Sequence, residues 1–205
     1  IAFEVPAQQD LDRGVVFAFD GPNGFDFEWM SHQLRNQLPQ NMPATFVSRL
    51  APNSQQTVIN EMNLGRYLVN YSGHGTTGNW FGSSFFGYNN VAGVAGFPQL
   101  ANPGNRSVYT MLTCLNGYFM NPYNDSLSEL LIKYNNGGAS MVWASTGLTT
   151  PDVQLVMATR FYNQLAVGNI TRAGDLVKDA KTVVPEGLDV RLSWALIGDP
   201  MLKMR

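Results

Sequence analysis

Cys114 and His74 are the two residues of the chain best suited to covalent chemistry. Cys114 is the only cysteine among the 205 residues, and it follows the largely apolar run of residues 107–113. His74 stands between two glycines, shortly after a second such run at residues 66–71. A cysteine attacks as the thiolate, and a neighbouring histidine can take the thiol proton and later protonate a leaving amine. The two motifs therefore predict a nucleophile–base pair.

Acyl transfer by such a pair also needs hydrogen-bond donors for the oxyanion of the tetrahedral intermediate. Gly75 has no side chain to block an approaching substrate, so we expect its N–H and that of Cys114 to be those donors. Asp20 ends the first apolar run of the chain, and a carboxylate there would orient His74 and fix its tautomer. The candidate catalytic residues are thus His74, Cys114 and Asp20.

Each of these residues also has a purely structural interpretation. A lone cysteine can be a small buried hydrophobe, and a histidine between glycines can be a turn residue bonded to a backbone carbonyl. The glycines favour a functional histidine, because they leave the backbone open and contribute no packing. Asp20 can instead cap the turn before Pro22. His32 lies among polar residues of a predicted helix, which indicates a solvated position.

Strand and helix patterns alternate along the chain. The predicted strands cover residues 15–19, 44–47, 66–71, 107–113 and 139–144. The predicted helices cover residues 27–38, 54–62 with Ser54 as the cap, 126–134, 150–165 and 171–181. This alternation predicts an α/β fold with a mostly parallel sheet and helices on both faces. Ligands bind such sheets at the carboxyl ends of the strands, where Asp20, His74, Cys114 and Ser145 are all expected.

The long segment between the third and fourth predicted strands, residues 75–106, is rich in glycine and aromatic residues. A stretch of irregular chain this long inside a compact domain is usually functional. Its aromatic residues predict a folded flap that is packed by its own side chains.

Composition excludes several classes of function. The net charge is −2 and no run of Lys or Arg occurs, which argues against nucleic-acid binding. No apolar run reaches the length of a membrane span. The histidines and the cysteine lack the spacing of a zinc site, and no phosphate-binding loop or G-x-S-x-G elbow occurs.

Residues 1–14 are polar and predict a linker or tail before a domain at 15–205, and the N-terminus has no signal-peptide pattern. We therefore expect a larger or processed precursor.

Two of the motifs resemble those of a known family. Residues 70–75, Asn-Tyr-Ser-Gly-His-Gly, followed by Trp80 resemble the histidine motif of the gingipain family, the C25 cysteine peptidases. Residues 112–119, Leu-Thr-Cys-Leu-Asn-Gly-Tyr-Phe, resemble its cysteine motif. Similar short signatures of the family occur at residues 127–129, 145–147 and 198–200. The resemblance covers roughly residues 15–205.

The resemblance implies a caspase-like three-layer α/β sandwich that carries a cysteine endopeptidase. By this resemblance, His74 of this chain would act as general base and acid, and Cys114 as the nucleophile that forms an acyl-enzyme thioester. The N–H of Gly75 would contribute to the oxyanion hole. Asp20 occupies the place of the family's acidic residue after the first strand. The caspase signature Gln-Ala-Cys-x-Gly is not matched, since Thr113 precedes the cysteine, and this favours the gingipain branch.

The resemblance also sets expectations about ligands and surroundings. No cofactor is required, although a structural Ca²⁺ ion fits the family. The partners would be a peptide or protein substrate and other domains or chains of the same precursor, with no nucleic acid and no membrane span. The gingipain catalytic unit has an additional N-terminal subdomain and an immunoglobulin-like module, both absent from this sequence. A secreted or cell-surface location is expected by the same resemblance.

The substrate pocket is harder to place. Members that prefer basic residues carry an acidic pocket near the first helix, where Asp26 or Glu28 would supply the acid. Both carboxylates can instead simply favour the N-terminal dipole of that helix. Ser145, Thr146 and Trp143 are the other pocket candidates, with Trp143 as pocket wall or core.

Two other functions stay open at this level. The first is a catalytically silent caspase-like module that serves protein binding or assembly, with the aromatic segment at residues 80–88 as its contact surface. The second is a doubly wound domain that binds a small ligand at residues 20–24, against which the missing phosphate-binding spacing counts.

Overall fold

The computed structural model describes residues 11–81, 85–184 and 187–204. Its centre is a six-stranded sheet in the order β2-β1-β3-β6-β7-β8, beside a two-stranded ribbon of β4 and β5. The strands are β1 Val15–Phe19, β2 Ala44–Ser48, β3 Leu68–Ser72, β4 Asn79–Trp80, β5 Phe86–Gly87, β6 Ser107–Leu112, β7 Ala139–Ser145 and β8 Trp194–Gly198. All neighbours in the sheet are parallel except β7 and β8. The α/β prediction is confirmed.

Helices cover both faces of this sheet. They are α1 Phe27–Arg35, α2 Ser54–Asn63, α3 Tyr88–Val91, α4 Leu127–Lys133, α5 Pro151–Val167, α6 Ala173–Thr182 and α7 Leu188–Ser193. The side chains of α1, α5 and α6 pack in one apolar cluster, and those of α2, α3 and α4 pack in a second cluster on the opposite face. The molecule is therefore a three-layer sandwich with two cores.

Strand β1 shows why an uninterrupted apolar run builds the centre of this sheet. All five of its residues are buried. Successive side chains of a strand point to opposite faces. Val15, Phe17 and Phe19 accordingly join one core, while Val16 and Ala18 join the other. A strand that needs apolar side chains on both faces belongs in the middle of a parallel sheet.

The direction of chain growth changes at β1. The chain moves from β1 outward to β2, then returns to β3 on the other side of β1 and continues through β6 and β7. The carboxyl ends of β1 and β3 therefore flank the topological switch point, where doubly wound proteins bind their ligands. These ends lead into Asp20 and the glycine-flanked His74.

Local signals at two helix starts gave different outcomes. The capping box at α4 is present, because the Ser126 hydroxyl accepts from the Glu129 N–H while the Glu129 carboxylate accepts from the Ser126 N–H. At α2 the predicted cap is wrong. Asn53 holds the cap position with φ 55°, whereas the Ser54 hydroxyl turns back and donates to the carbonyl of Arg49.

The aromatic segment after His74 packs on the sheet rather than on itself alone. Trp80 of β4 lies parallel to the ring of Tyr71 at 4.4 Å, and Phe85 and Phe86 are buried in the same core. The ribbon of β4 and β5 thus fastens the loop that carries His74 to the sheet. Neither this ribbon nor the α7–β8 unit that completes the sheet is predicted by the sequence pattern.

The amino-terminal prediction lies mostly outside the described residues, since the structure is described from residue 11 onward. Residues Leu11–Arg13 form a short 3-10 helix, and the Gly14 carbonyl accepts from the N–H groups of Tyr67 and Leu68. The division into a tail and a domain stays a prediction. Within the described ranges, every helix is too short or too polar to cross a lipid bilayer.

Candidate active site

The register between β3 and β6 brings the two reactive residues to one edge of the sheet. Ser72 pairs with Leu112 as the last residues of the parallel ladder. The Gly73 N–H then donates to the Leu112 carbonyl at 3.2 Å. His74 and Cys114 each lie two residues beyond the last pair, so the adjacent strands deliver them to equivalent positions.

Gly75 lets the histidine loop approach the cysteine loop closely. A Cβ on Gly75 would lie 2.4 Å from the Thr113 hydroxyl oxygen and 3.2 Å from the Cys114 carbonyl oxygen. Real Cβ atoms essentially never come within 3.0 Å of another heavy atom, so any side chain at position 75 would force Thr113 to shift, while the contact with Cys114 would be tight. Within the described part of the chain, neither the Gly75 N–H nor the Cys114 N–H donates to another backbone carbonyl. Both N–H groups are therefore candidates for an oxyanion hole.

Cys114 lies at the start of a tight turn and is half-buried. Its thiol donates to the Thr149 carbonyl at 3.7 Å, a long bond typical of sulfur. The next residue, Leu115, takes the left-handed conformation with φ 59°. The Leu115 N–H donates to the Gly147 carbonyl at 3.2 Å, so this N–H is not available to bind an oxyanion.

His74 is exposed, and its backbone is held from two directions. Its carbonyl accepts from the Tyr71 hydroxyl at 2.7 Å and from the Phe81 N–H at 2.9 Å. Its imidazole meets the ring of Phe27 edge-on, with centroids 5.5 Å apart. Phe27 opens α1, so the side of the histidine toward α1 is apolar.

Tyr71 connects this histidine to the core. Its ring is buried against Trp80, with an interplanar angle of 7°. Burial raises the pKa of Tyr71 well above its ordinary value, the Asp20 carboxylate raises it further, and Arg49 partly opposes this. The hydroxyl therefore stays protonated and continues to donate to the His74 carbonyl. Its place inside the histidine motif is the one sequence signal that could have indicated this role for Tyr71.

Asp20 lies at this edge but is bound to other groups. One carboxylate oxygen accepts from Arg49 Nε at 2.5 Å and from the Gly21 N–H at 2.7 Å. Arg49 also stacks over the ring of Phe81 at 3.6 Å. The second oxygen of Asp20 has no hydrogen-bond partner among the described residues. The contact of Asp20 with the histidine loop is through Gly73, whose added Cβ would lie 2.7 Å from the Asp20 Cβ. Its role in orienting His74 stays a prediction.

The predicted pocket residues fall into three places. Asp26 caps α1 by accepting from the Trp29 N–H at 2.8 Å, and Glu28 is exposed in the first turn of that helix. The Ser145 hydroxyl donates to the Gly147 carbonyl, and the Thr146 hydroxyl donates to the Ser193 carbonyl.

Trp143, the remaining pocket candidate, lies in the core behind the site. It stacks on Phe161 at 5.1 Å and meets Trp194 edge-on. The structure leaves it no exposed surface.

Several buried polar atoms near Cys114 lack a partner among the described residues. They are the hydroxyl oxygens of Thr113 and Thr149 and the amide oxygen of Asn116. Unpaired buried polar atoms are costly, and each has a cause such as strain, a catalytic role, or a bound water or ion. No group of three or more His, Cys, Asp or Glu side chains suited to a metal ion occurs in the described ranges. The Ca²⁺ expectation stays untested.

Comparison with known proteins places this arrangement in a family. The family model described as "Peptidase family C25" matches residues 2–205. The chain belongs to peptidase family C25. The resemblance drawn from the histidine and cysteine motifs is thereby confirmed. Comparison of the sequence with curated proteins gives no match.

Solved structures show the same fold. The Arg-specific cysteine proteinase gingipain R (RgpB) superposes with a TM-score of 0.78 and 22% identity over 97% of this chain and 49% of that one. The complex of Porphyromonas gingivalis RgpB pro- and mature domains gives 0.78 and 20% over 94% and 48%. A structure described as "Structure of Protease" gives 0.75 and 11% over 98% and 50%. The C25 chain thus spans about half the length of these proteins and has the caspase-like fold expected.

The hydroxyl of Tyr71 is predicted to stabilise the histidine loop of this C25 chain. Tyr71→Phe removes a buried hydrogen bond but keeps the stacking on Trp80, so we expect a loss of about 1 kcal/mol in the free energy of unfolding. Tyr109→Phe is the matched control, because the Tyr109 hydroxyl is buried without a partner among the described residues. That variant should lose nothing. Equal losses in urea titrations of the two variants would contradict the assigned bond.

The close approach of Gly75 to the cysteine loop yields a second prediction. Gly75→Ala should cost roughly 1–3 kcal/mol of unfolding free energy, because the new methyl group overlaps Thr113 and Cys114. Gly78→Ala, in the same loop, is the control for stability, since an added Cβ there meets no atom within 4 Å. Thermal or urea unfolding measures both. A Gly75→Ala variant as stable as Gly78→Ala would show that the two loops do not touch.

Proposed function

We propose that this chain carries the catalytic centre of a cysteine endopeptidase, with Cys114 as nucleophile and His74 as general base and acid. One observation carries the proposal. The parallel register of β3 and β6 places the two residues at equivalent positions beyond Ser72 and Leu112, and the Gly75 loop lies in contact with Thr113 and Cys114. Membership of family C25 supports it.

The mechanism begins with proton transfer from the Cys114 thiol to the imidazole of His74. The thiolate attacks the carbonyl carbon of the scissile bond, and the N–H groups of Gly75 and Cys114 donate to the oxyanion that forms. The intermediate collapses as His74 gives its proton to the amine of the leaving group, which breaks the C–N bond. A thioester of Cys114 remains. His74 then takes a proton from water, the resulting attack releases the carboxylic acid, and the thiol is restored.

The positions of the two residues suit this cycle. His74 is exposed, so its imidazole can meet both water and a leaving amine, while Cys114 is half-buried under the turn. Fixed backbone matters because a general base must lie within hydrogen-bond reach of the proton it removes. The Tyr71 hydroxyl and the Phe81 N–H supply that restraint at the His74 carbonyl.

Specificity and surroundings follow from the family resemblance and are part of the proposal. Asp26 caps α1 and Glu28 lies in its first turn, on either side of Phe27, whose ring meets that of His74. Their carboxylates would favour a basic residue on the acyl side of the scissile bond. We further propose a secreted or cell-surface protein that acts with other domains of its precursor. A structural Ca²⁺ ion belongs to the same expectation.

The rival hypothesis of a silent binding module loses its main support. Its contact surface was to be the aromatic residues at 80–88. Trp80, Phe85 and Phe86 are buried in the core instead, and Tyr88 is the exposed aromatic residue of the described part of this stretch. The aromatic residues thus serve to hold the histidine loop.

Covalent labelling tests the dyad directly. A peptide with a thiol-reactive acyloxymethyl ketone should label the wild-type chain at Cys114, and Cys114→Ala should abolish labelling. His74→Ala should slow it by at least ~100-fold, the lower end of what general base catalysis contributes. The control His32→Ala removes the other histidine, which stacks on Phe46 at 4.2 Å, and should label at the wild-type rate.

Two outcomes would defeat the proposal. Labelling that is indifferent to loss of His74 would show that no dyad exists. A folded wild-type chain that neither reacts with the probe nor cleaves a peptide library would favour the silent module.

A further inference from the structure

A cleft of about 710 Å³ is lined in part by residues that follow His74 and Cys114 in the chain. Two tyrosines stand in its wall, Tyr88 at the start of α3 and Tyr123 in the loop before α4. Thr77, Gly78, Asn121 and Asn124 are also among its lining residues. We call it the tyrosine cleft. Its size lies within the ~300–1,000 Å³ of ordinary ligand sites.

Part of the lining of the tyrosine cleft comes from the two loops that carry the proposed dyad. Thr77 and Gly78 follow His74, and Asn121 to Asn124 follow Cys114. Hydrogen bonds join these loops near the cleft. The Asn116 amide donates to the carbonyls of Thr76 at 2.5 Å and Asn79 at 3.2 Å, and the Leu127 N–H donates to the Thr77 carbonyl at 2.8 Å. The same hydrogen bonds therefore hold together the loops of the cleft and the loops of the proposed site.

The side of the sheet on which the cleft lies indicates which half of a substrate it meets. The proposed acyl-side carboxylates, Asp26 and Glu28, lie on α1, which packs on one face. The cleft is lined from α3 and α4, which pack on the opposite face. A peptide whose acyl half lies toward α1 must direct its leaving half across the edge, toward α3 and α4.

We propose that the tyrosine cleft binds the residues of a peptide substrate that follow the scissile bond. The inference rests on the proposed peptidase function and deepens it. Tyr123 and Tyr88 have 88% and 51% of their surface exposed. Phenol rings presented in this way contribute large contact area at low cost in conformational entropy. The Asn121 amide oxygen accepts from the Tyr123 N–H at 3.0 Å, so its NH₂ group and the amide of Asn124 are the groups that can bond the backbone of an extended peptide.

Charge in the cleft selects the class of residue that fits. Asp125 supplies the carboxylate of the lining, but Lys133 pairs with it at 2.7 Å. Pro122 and Leu130 add apolar surface. A neutralised carboxylate and two phenol rings favour apolar or aromatic residues over basic ones. The preference after the scissile bond would thus differ from the basic preference proposed before it.

Two substrates with the same acyl half test this inference. One ends in the amide of aminomethylcoumarin, and the other continues after the scissile bond as Phe-Ala-Ala amide, with the acyl half chosen from a library. For the wild type and for Tyr123→Ala, the ratio of kcat/KM for the extended substrate to that for the short one is measured. The ratio should fall about fivefold or more in Tyr123→Ala, mainly through KM, and further in Tyr88→Ala/Tyr123→Ala.

Leu64→Ala is the control, because Leu64 is a comparably exposed side chain next to Gly65 at the opposite edge of the sheet. It should change neither rate. If the ratio is unaltered in both tyrosine variants, the tyrosine cleft does not bind the residues after the scissile bond. The proposed peptidase function is not affected by that outcome.

Failure of the function itself has a different signature. The wild type would then cleave neither substrate. Fluorescence polarisation of labelled Phe-Ala-Ala amide, titrated with Cys114→Ala and with Cys114→Ala/Tyr123→Ala, reports on the cleft without turnover. Weaker binding by the second variant supports the inference, and equal binding by both overturns it.

Discussion

The contact between the histidine loop and the cysteine loop is the constraint on which the site depends. The two loops leave adjacent parallel strands whose separation is fixed at about 4.8 Å by the hydrogen bonds of the ladder. At that separation, loops that follow parallel strands normally have side chains between them. Gly75 has no Cβ, so its backbone can lie directly against Thr113 and Cys114. The relative position of the two loops, and with it that of His74 and Cys114, is therefore set by backbone packing.

Around this contact, several weaker interactions fix the same loop from the opposite side. The Tyr71 hydroxyl bonds the His74 carbonyl, and Trp80 stacks on the ring of Tyr71. Arg49 spans the strand ends by pairing with buried Asp20 and stacking on Phe81. A buried ion pair loses much of its Coulomb energy to desolvation, so Arg49 and Asp20 add little net stability. Their contribution is to fix the strand ends relative to one another.

Much of the fold was predictable because the signals were local. The apolar runs of β1 and β6 are uninterrupted, since both faces of each strand are buried, and the capping box of α4 is written in adjacent residues. The α7–β8 unit was not predicted. Helix α7 ends at Ser193 and strand β8 begins at the next residue, Trp194, so no loop with glycine or proline marks the change. Its partner β7 is also distant in sequence.

The site followed the same division. The placement of His74 and Cys114 just beyond two neighbouring strands was predictable, because both follow apolar runs. Arg49 and Thr149 were not, because their contacts with Asp20 and Cys114 depend on how separate loops meet in space. For Trp143 the sequence left open a pocket wall or the core, and the structure places its side chain in the core. Burial of a strand residue depends on which face its side chain takes.

The order of the strands has a consequence for how this molecule is made. The edge that carries His74 and Cys114 is formed by β1, β3 and β6, and pairings between segments so far apart in sequence form slowly. The relative position of His74 and Cys114 therefore depends on the sheet as a whole and cannot be held by one local segment of the chain.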